Sequence, residues 1–475
     1  MEITLVQAIE KVGQQILENF PTRTLKLESN PIQFSQLLES ISKEIIYPIK
    51  ILFDEKTGRN AFEMLPKVLL EEVFSYVLYC DVNMSEVLKM SRVCKKWKNL
   101  VWSLVKEVKI RPVKYLNRTT LGQIEKSTQK CQNLERFSLV TKDNIRVSRS
   151  LLSNWRWKQI RKLSITLNFT EESTKNFSWL KEIHSLTFLS IFHMTSKIES
   201  FEVWPPNLVC LKFGECLLFK QTLSNLPKGL EKLYIVDCKV DSVIRSEDIP
   251  QSLVNSVKKF RLEFTQNINL LRRLENLNDL SLAGMQGDLQ ESFFSQIRKP
   301  EEIISIDLRE TNFNKIEILL ENFQTLTSIN LSDCHLEKES IPKLNGFHFL
   351  KKLDLSRCTS VNFFSISKIW LPQLEFLFLS GCENFHLESF LFTHHSNSSL
   401  KYLDISHTKV VEMEFLPSTI VSLDISNNQF IRCAHLRKIP SSVRNLNVDS
   451  CFLIRKEKAD LFYSLQNVCI YGLND

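Results

Sequence analysis

The chain has 475 residues, 43% hydrophobic and 24% charged, with 61 Lys and Arg against 54 Asp and Glu for a formal charge of +7. Only 10 residues are Gly, about 2% against an average usage of roughly 7%, and neither GxGxxG nor GxxxxGK[ST] occurs, which excludes glycine-rich phosphate loops. The apolar residues suffice for a large core, yet no run of about 18 of them occurs, so no membrane-spanning helix is expected.

The first residues, MEITLVQAIEKVGQQILENF, place an acid at position 2 and lack a basic region before an apolar stretch. Neither a secretory leader nor an Arg-rich transit segment is expected, which points to the cytoplasm or nucleus, where the 12 cysteines stay reduced. The N-x-[ST] triplets at 117–119 and 168–170 then read as chance matches. Residues 1–60 form a first region, predicted helical over 6–20 and 34–53 and without an assigned role; the polar stretch DEKTGRNAFE links it to the second.

Residues 61–110 form that second region. Pro66 sits where a first helical turn tolerates a missing N–H, and the apolar spacing from Leu65 to Leu78 predicts a helix. A short second helix is expected over 84–90, and a third over 91–104 carries Val93, Trp97, Leu100, Val101 and Leu104. Three short helices cannot stand on one core, and the first is apolar on more faces than so small a core could use. The surplus implies a partner.

This stretch resembles the F-box. The residues that carry the resemblance are Leu65-Pro66, Val73-Phe74-Ser75-Tyr76-Val77, Leu88, Val93-Cys94-Lys95-Lys96-Trp97 and Trp102, with a somewhat long link at 79–84. The resemblance implies binding to a Skp-type adaptor and, through it, to a cullin and a ring-finger subunit. It places Leu65, Pro66, Leu69, Val73, Phe74, Val93, Cys94 and Trp97 at the adaptor interface or in its supporting core. Trp97 above all could instead simply hold the three helices together.

Residues 130–475 repeat. Apolar residues spaced 3, 2 and 3 apart recur in LKKLDLSRC from 350, LEFLFLSGC from 374, LTSINLSDC from 326, LEKLYIVDC from 230 and ten further copies from 134 to 443. A last copy, LQNVCIYGL from 465, makes fifteen, with steps of 20 to 27 residues. The pattern LxxLxLxx[NC] is identified as the leucine-rich repeat, which implies an α/β solenoid: a curved parallel sheet on the concave side, helices or extended segments on the convex side. In a strand the fourth and sixth positions face the core, and the third, fifth and seventh face the open side. The ninth turns inward, where Asn or a thiol can satisfy backbone groups; Cys216, Cys238, Cys334, Cys358, Cys382 and Cys451 fill it, which leaves a metal or redox role unneeded. Steps of 26 or 27 have room for a helix, as after Leu134 and Ile160. Pro227, Pro417 and Pro440 instead predict an extended return or a single short turn.

The concave side is where a target protein is expected. Its fifth positions are neutral to basic in the first half, while the second half holds Asp307, Asp354, Asp404 and Asp424. Phe376, Phe378 and Tyr402 add an aromatic cluster flanked by Lys352, Asp354 and Asp404, the composition of a protein-binding hot spot. An aspartate at this slot also fits an ordinary solvated strand residue. The acidic half opposes nucleic acid as a partner, and the short basic clusters at 95–98, 257–261 and 271–273 read as solvated surface.

No HExxH, GxSxG or paired Cys/His spacing occurs, His394-His395 reads as solvated, and no separate catalytic domain is expected after the last copy. The expectation is a non-catalytic receptor without a cofactor, serving a Skp–cullin–F-box ubiquitin ligase, or a non-proteolytic scaffold on the same adaptor.

Overall fold

The structure, a computed structural model, describes residues 107–110, 131, 133–139, 160–166, 180–192 except 182, and 204–471 with gaps, among them 362–368, 388–398 and 457–467. The helices expected over 6–20, 34–53 and 64–104 lie outside the described residues, as does the His394-His395 pair. The chain divides into two compact units, residues 1–143 with 148–160, and residues 144–147 with 161–475.

In the first unit β1 (Glu107–Ile110) pairs in parallel with β2 (Arg136–Leu139), Glu107 opposite Arg136. The second strand is the copy read at 134. The first was not expected from the sequence, so repeat-type pairing begins ahead of residue 130.

The second unit carries β3 (Lys162–Thr166), β4 (Phe188–Phe192), β5 (Cys210–Gly214), β6 (Lys232–Val236) and β7 (Lys259–Glu263). Shorter strands come next: β8 (Asp279–Ser281), β9 (Ser305–Asp307), β10 (Ser328–Asn330), β11 (Lys352–Asp354) and β12 (Phe376–Phe378). The last are β13 (Tyr402–Asp404), β14 (Ser422–Asp424), β15 (Asn445–Asn447) and β16 (Cys469–Tyr471). Each pairs in parallel with the next, which makes one long leucine-rich-repeat sheet. Third positions align through the thirteen copies from 160 to 443, and the fourth-position residues from Leu163 to Leu446 are at most 1% exposed.

The fifteenth copy departs from the expected register. Cys469 lies opposite Asn445 and Tyr471 opposite Asn447, so the last copy starts at 467, two residues later than the sequence suggests, and Tyr471 holds its fifth position. A two-residue slip keeps the same side chains on the same face, so alternation alone could not resolve it.

Step length also proves a poor guide to the returns. Among the described residues the longest return helix, α1 (Ile316–Asn322), lies in a step of 23. No proline precedes Leu326, and Ile316, Leu319 and Phe323 supply a buried face at helical spacing. Phe323 meets Phe294 edge-on, ring centroids 5.6 Å apart, and Phe313 meets the same ring at 6.2 Å. The proline-led copies behave as expected, with returns of one short turn at Lys220–Ser224, Met413–Phe415 and Cys433–Leu436. The returns behind β2 and β3, at 140–159 and 167–179, lie outside the described residues.

The turn after each strand keeps to one plan. The eighth residue of every copy from 208 to 443 has positive φ: Glu215, Asp237, Phe264, Gly284, Glu310, Asp333, Arg357, Gly381, His407, Asn427 and Ser450 lie between 50° and 71°. Only two of these are Gly, although a side chain in this region costs about 1–2 kcal/mol. The cost is tolerated because the eighth amide bonds into the next copy, as from Asp333 to the Ser356 carbonyl at 2.9 Å and from His407 to that of Ser426 at 2.9 Å.

The ninth residue then satisfies backbone groups, as expected, and the structure identifies them. The thiols of Cys216, Cys334, Cys358, Cys382 and Cys451 donate to the sixth-position carbonyl of the preceding copy at 3.0–3.4 Å. Burial pushes the Cys382 thiol up to about 12 and raises Cys358 as well, so both stay protonated donors.

His407 tests the turn, since it is exposed and its side chain fills no core position. His407→Val should lower stability by about 1–2 kcal/mol, because a β-branched residue resists positive φ, while His407→Gly should stay near the parent. Urea midpoints of the two variants check this.

Candidate functional site

All six residues singled out for target binding come together on the open side of three adjacent strands. Lys352, Phe376 and Tyr402 hold the third positions of β11, β12 and β13 and lie opposite one another in that order. Asp354, Phe378 and Asp404 do the same at the fifth positions. The alternating pattern sends Leu353, Leu377 and Leu403 inward, at most 1% exposed, and thereby fixes the polar and aromatic set outward.

The rings form one cluster. Tyr402 lies 5.0 Å from Phe378 and 6.3 Å from Phe376, tilted by 39° and 33°. The Lys352 ammonium stands 5.2 Å from the centre of the Phe378 ring, a cation–π contact. Phe376 is 40% exposed, an unusual setting for a Phe in a sheet, whereas Phe378 and Tyr402 are half-buried. Burial, with the charges of Asp404, Asp424 and Asp354 as smaller causes, raises the Tyr402 phenol above its ordinary value, so it remains a hydrogen-bond donor at neutral pH. The patch can therefore offer an aromatic platform, a phenolic donor and carboxylates to a partner with apolar and basic groups.

The aspartates have a second task that the sequence did not reveal. The Oδ1 atoms of Asp307, Asn330, Asp354, Asp404, Asp424 and Asn447 accept the backbone N–H two residues on, at 2.9–3.2 Å. Each takes the seventh amide out of the ladder. In the copies from 326, 350 and 443 the ninth-position thiol supplies a donor to the sixth carbonyl next door. The five-residue strands β3 to β7 carry Ser, Lys, Tyr or Arg at the fifth position and run two residues further. The aspartate row is thus built by turn chemistry, and two of its second oxygens are engaged as well, that of Asp424 accepting from the Asn447 amide at 2.8 Å and that of Asp307 lying 3.7 Å from Arg309; the i to i+2 spacing of Asp and Ser in DIS and DLS was the available signal.

A second feature missed by the sequence is a charge network on β7 to β9. Glu263 is 5% exposed yet accepts from Ser281 at 2.8 Å and from Arg309 at 3.1 Å, and Arg309 also reaches Asp307 at 3.7 Å. Lys259 pairs with Asp279 at 3.0 Å and Lys258 with Glu231 at 3.1 Å, so the basic cluster at 257–261 is held by neighbouring copies.

The other half of the expected site, Leu65, Pro66, Leu69, Val73, Phe74, Val93, Cys94 and Trp97, lies outside the described residues. Comparison with known families supplies what geometry does not: residues 62–109 match the F-box domain. The chain carries an F-box domain. Strand β1 overlaps the end of this F-box match, so the repeat-type pairing starts where the F-box ends. No curated protein matches the chain. Solved structures similar to it include a leucine-rich-repeat protein of Leptospira interrogans, 18% identical with a TM-score of 0.40, covering 82% of this chain and 98% of that one. An internalin of Listeria monocytogenes is 16% identical with a TM-score of 0.40, covering 77% of this chain and 97% of that one.

Asp404 separates cap from charge. Burial, helped by Asp424 and Asp354, outweighs its bonds to Ser406 and raises its pKa. A raised folded-state value means the ionised form is disfavoured in the fold, so stability falls as pH rises through it. Asp404→Asn keeps the acceptor and removes the charge; it should gain stability over the parent near neutral pH, a gain that vanishes below the carboxylate range. Asp404→Ala should lose stability at both pH values, as thermal melts across pH would record.

Proposed function

We propose that this chain is the target-recognition subunit of a Skp–cullin–F-box ubiquitin ligase, working in the cytoplasm or nucleus. The F-box match at residues 62–109 carries the reading. Leu65, Pro66, Leu69, Val73, Phe74, Val93, Cys94 and Trp97 bind or support a Skp-type adaptor, and the adaptor brings the cullin and ring-finger subunits. A target protein binds the open face of the repeats through Phe376, Phe378 and Tyr402, with Lys352, Asp354 and Asp404 around them.

The chain is not itself catalytic. It raises the local concentration of target near the conjugating machinery, because one polypeptide holds both. The target is then ubiquitinated and degraded by the proteasome. The exposed Phe376 and the ring cluster beside it support this placement, since half-buried aromatics with a polar rim give interfaces most of their binding energy.

Two double variants test the two ends. Leu65→Ala with Pro66→Ala should lose the adaptor and cullin from affinity captures while target remains. Phe376→Ala with Phe378→Ala should keep the adaptor and weaken target capture by about 2 kcal/mol or more, roughly thirtyfold. Unchanged target capture from the second variant would remove the aromatic patch from the reading. A target whose half-life does not lengthen when the chain is deleted would leave an adaptor-bound scaffold instead of a ligase subunit.

A further inference from the structure

The open face is electrically uneven in a way that pairing explains. On β7 to β9 the cations are matched internally: Lys259 by Asp279, Arg309 by Glu263 and Asp307, and Arg261 stands 3.8 Å from Glu263. On β3 to β6 they are not. Lys162 and Lys232 hold third positions and Lys212 a fifth, and among the described residues none of the three has an acidic partner. The register brings them together: Lys162 lies opposite Phe188, Phe188 opposite Cys210, and Cys210 opposite Lys232, while Lys212 stands opposite Tyr234. Neighbouring strands lie about 4.8 Å apart, so Lys162 and Lys232 are about 14 Å apart across the sheet.

Apolar surface lies among these cations. The Lys212 ammonium stands 5.5 Å over the Phe192 ring, and Phe192 lies on Gly214, where a Cβ would come within 2.5 Å of the ring. Phe188 and Phe192 are half-buried. Arg261 stands 5.2 Å over Tyr234 on the far side. The positive charges converge on the buried thiol of Cys210: burial raises it to about 11, against the opposing pull of Lys232, Lys162, Lys212 and Arg261. Between Ser164 and Lys212, Ser190 is 2% exposed and its hydroxyl has no hydrogen-bond partner.

We infer that Lys162, Lys212 and Lys232, with Phe188 and Phe192 between them, form a second docking surface that takes an acidic segment of a protein, one bearing several Asp or Glu side chains and an apolar residue. Charge complementarity favours it: three unmatched ammonium groups and two rings suit carboxylates spaced around an apolar anchor. A longer polyanion such as a nucleic acid strand fits less well, because Asp279, Asp307, Asp354, Asp404 and Asp424 line the same face further along. The inference rests on the reading that the open face holds a protein target. It adds that the target is polarised, acidic toward β3 to β6 and apolar or basic toward β11 to β13.

The test uses the full chain and a short fluorescein-labelled peptide of Glu and Phe residues, with its Gln-for-Glu counterpart and an oligothymidylate as companions. The Glu peptide should bind and weaken with added salt, and the Gln peptide should bind less. In Lys162→Gln/Lys212→Gln/Lys232→Gln its affinity should fall about tenfold, the sum of three exposed ion pairs, while Phe376→Ala/Phe378→Ala leaves it unchanged. No binding, equal binding by the Gln peptide, or an unchanged affinity in the lysine variant overturns the inference. Tighter binding of oligothymidylate, lost in the same variant, overturns it in favour of nucleic acid. None of these results touches adaptor capture, so the F-box reading stands or falls separately.

Discussion

The left-handed residue at the eighth position of each copy is the constraint on which the rest depends. It turns the chain out of the strand in the same direction each time, so that the next strand can be laid parallel to the last. Eleven consecutive described copies adopt it, nine of them without glycine. Local strain of this kind survives only where neighbours over-determine it. Here the neighbour is the next copy, whose carbonyl holds the strained amide, and the ninth residue closes the turn from inside. Each copy is therefore incomplete alone, and the array is stable as a stack.

From that turn comes the division of labour across the sheet. Within the strand the fourth and sixth positions are given to the core, and the third, fifth and seventh are turned to the open side. The fifth position is a mixed case. Where it is Asp or Asn it caps the turn with one oxygen, which is a structural reason for the acidic row in the second half. In β3 to β7, where it is Ser164, Ser190, Lys212, Tyr234 or Arg261, the strand runs on and the side chain is left to other uses. The two halves of the open face thus differ in charge partly because they end their strands differently.

The repeats, their phase through the thirteen copies from 160 to 443 and the inward role of Cys at the ninth position were legible in the sequence, since a periodicity of 2 set inside one of 20 to 27 leaves little choice. The aromatic patch was legible too, because Phe376, Phe378 and Tyr402 fall at odd positions. The slip at the last copy was not, for a shift by two residues preserves the alternation. Strand β1 was hidden because EVKI comes directly after the F-box pattern. The internal matching of Lys258 and Lys259 escaped because their partners, Glu231 and Asp279, lie 20 to 27 residues away. The same distance hid Lys162, Lys212 and Lys232, which form no run in the sequence and meet only through register.

The thiols at the ninth position carry one more consequence. Cys334, Cys358, Cys382 and Cys451 each sit in a different interface between copies, each bonded to the copy before it and each at most 1% exposed. A buried, protonated thiol reacts with an alkylating reagent only when its surroundings open. The array therefore contains its own series of local reporters, spaced along its length, through which the breathing of one joint can be told from that of the next.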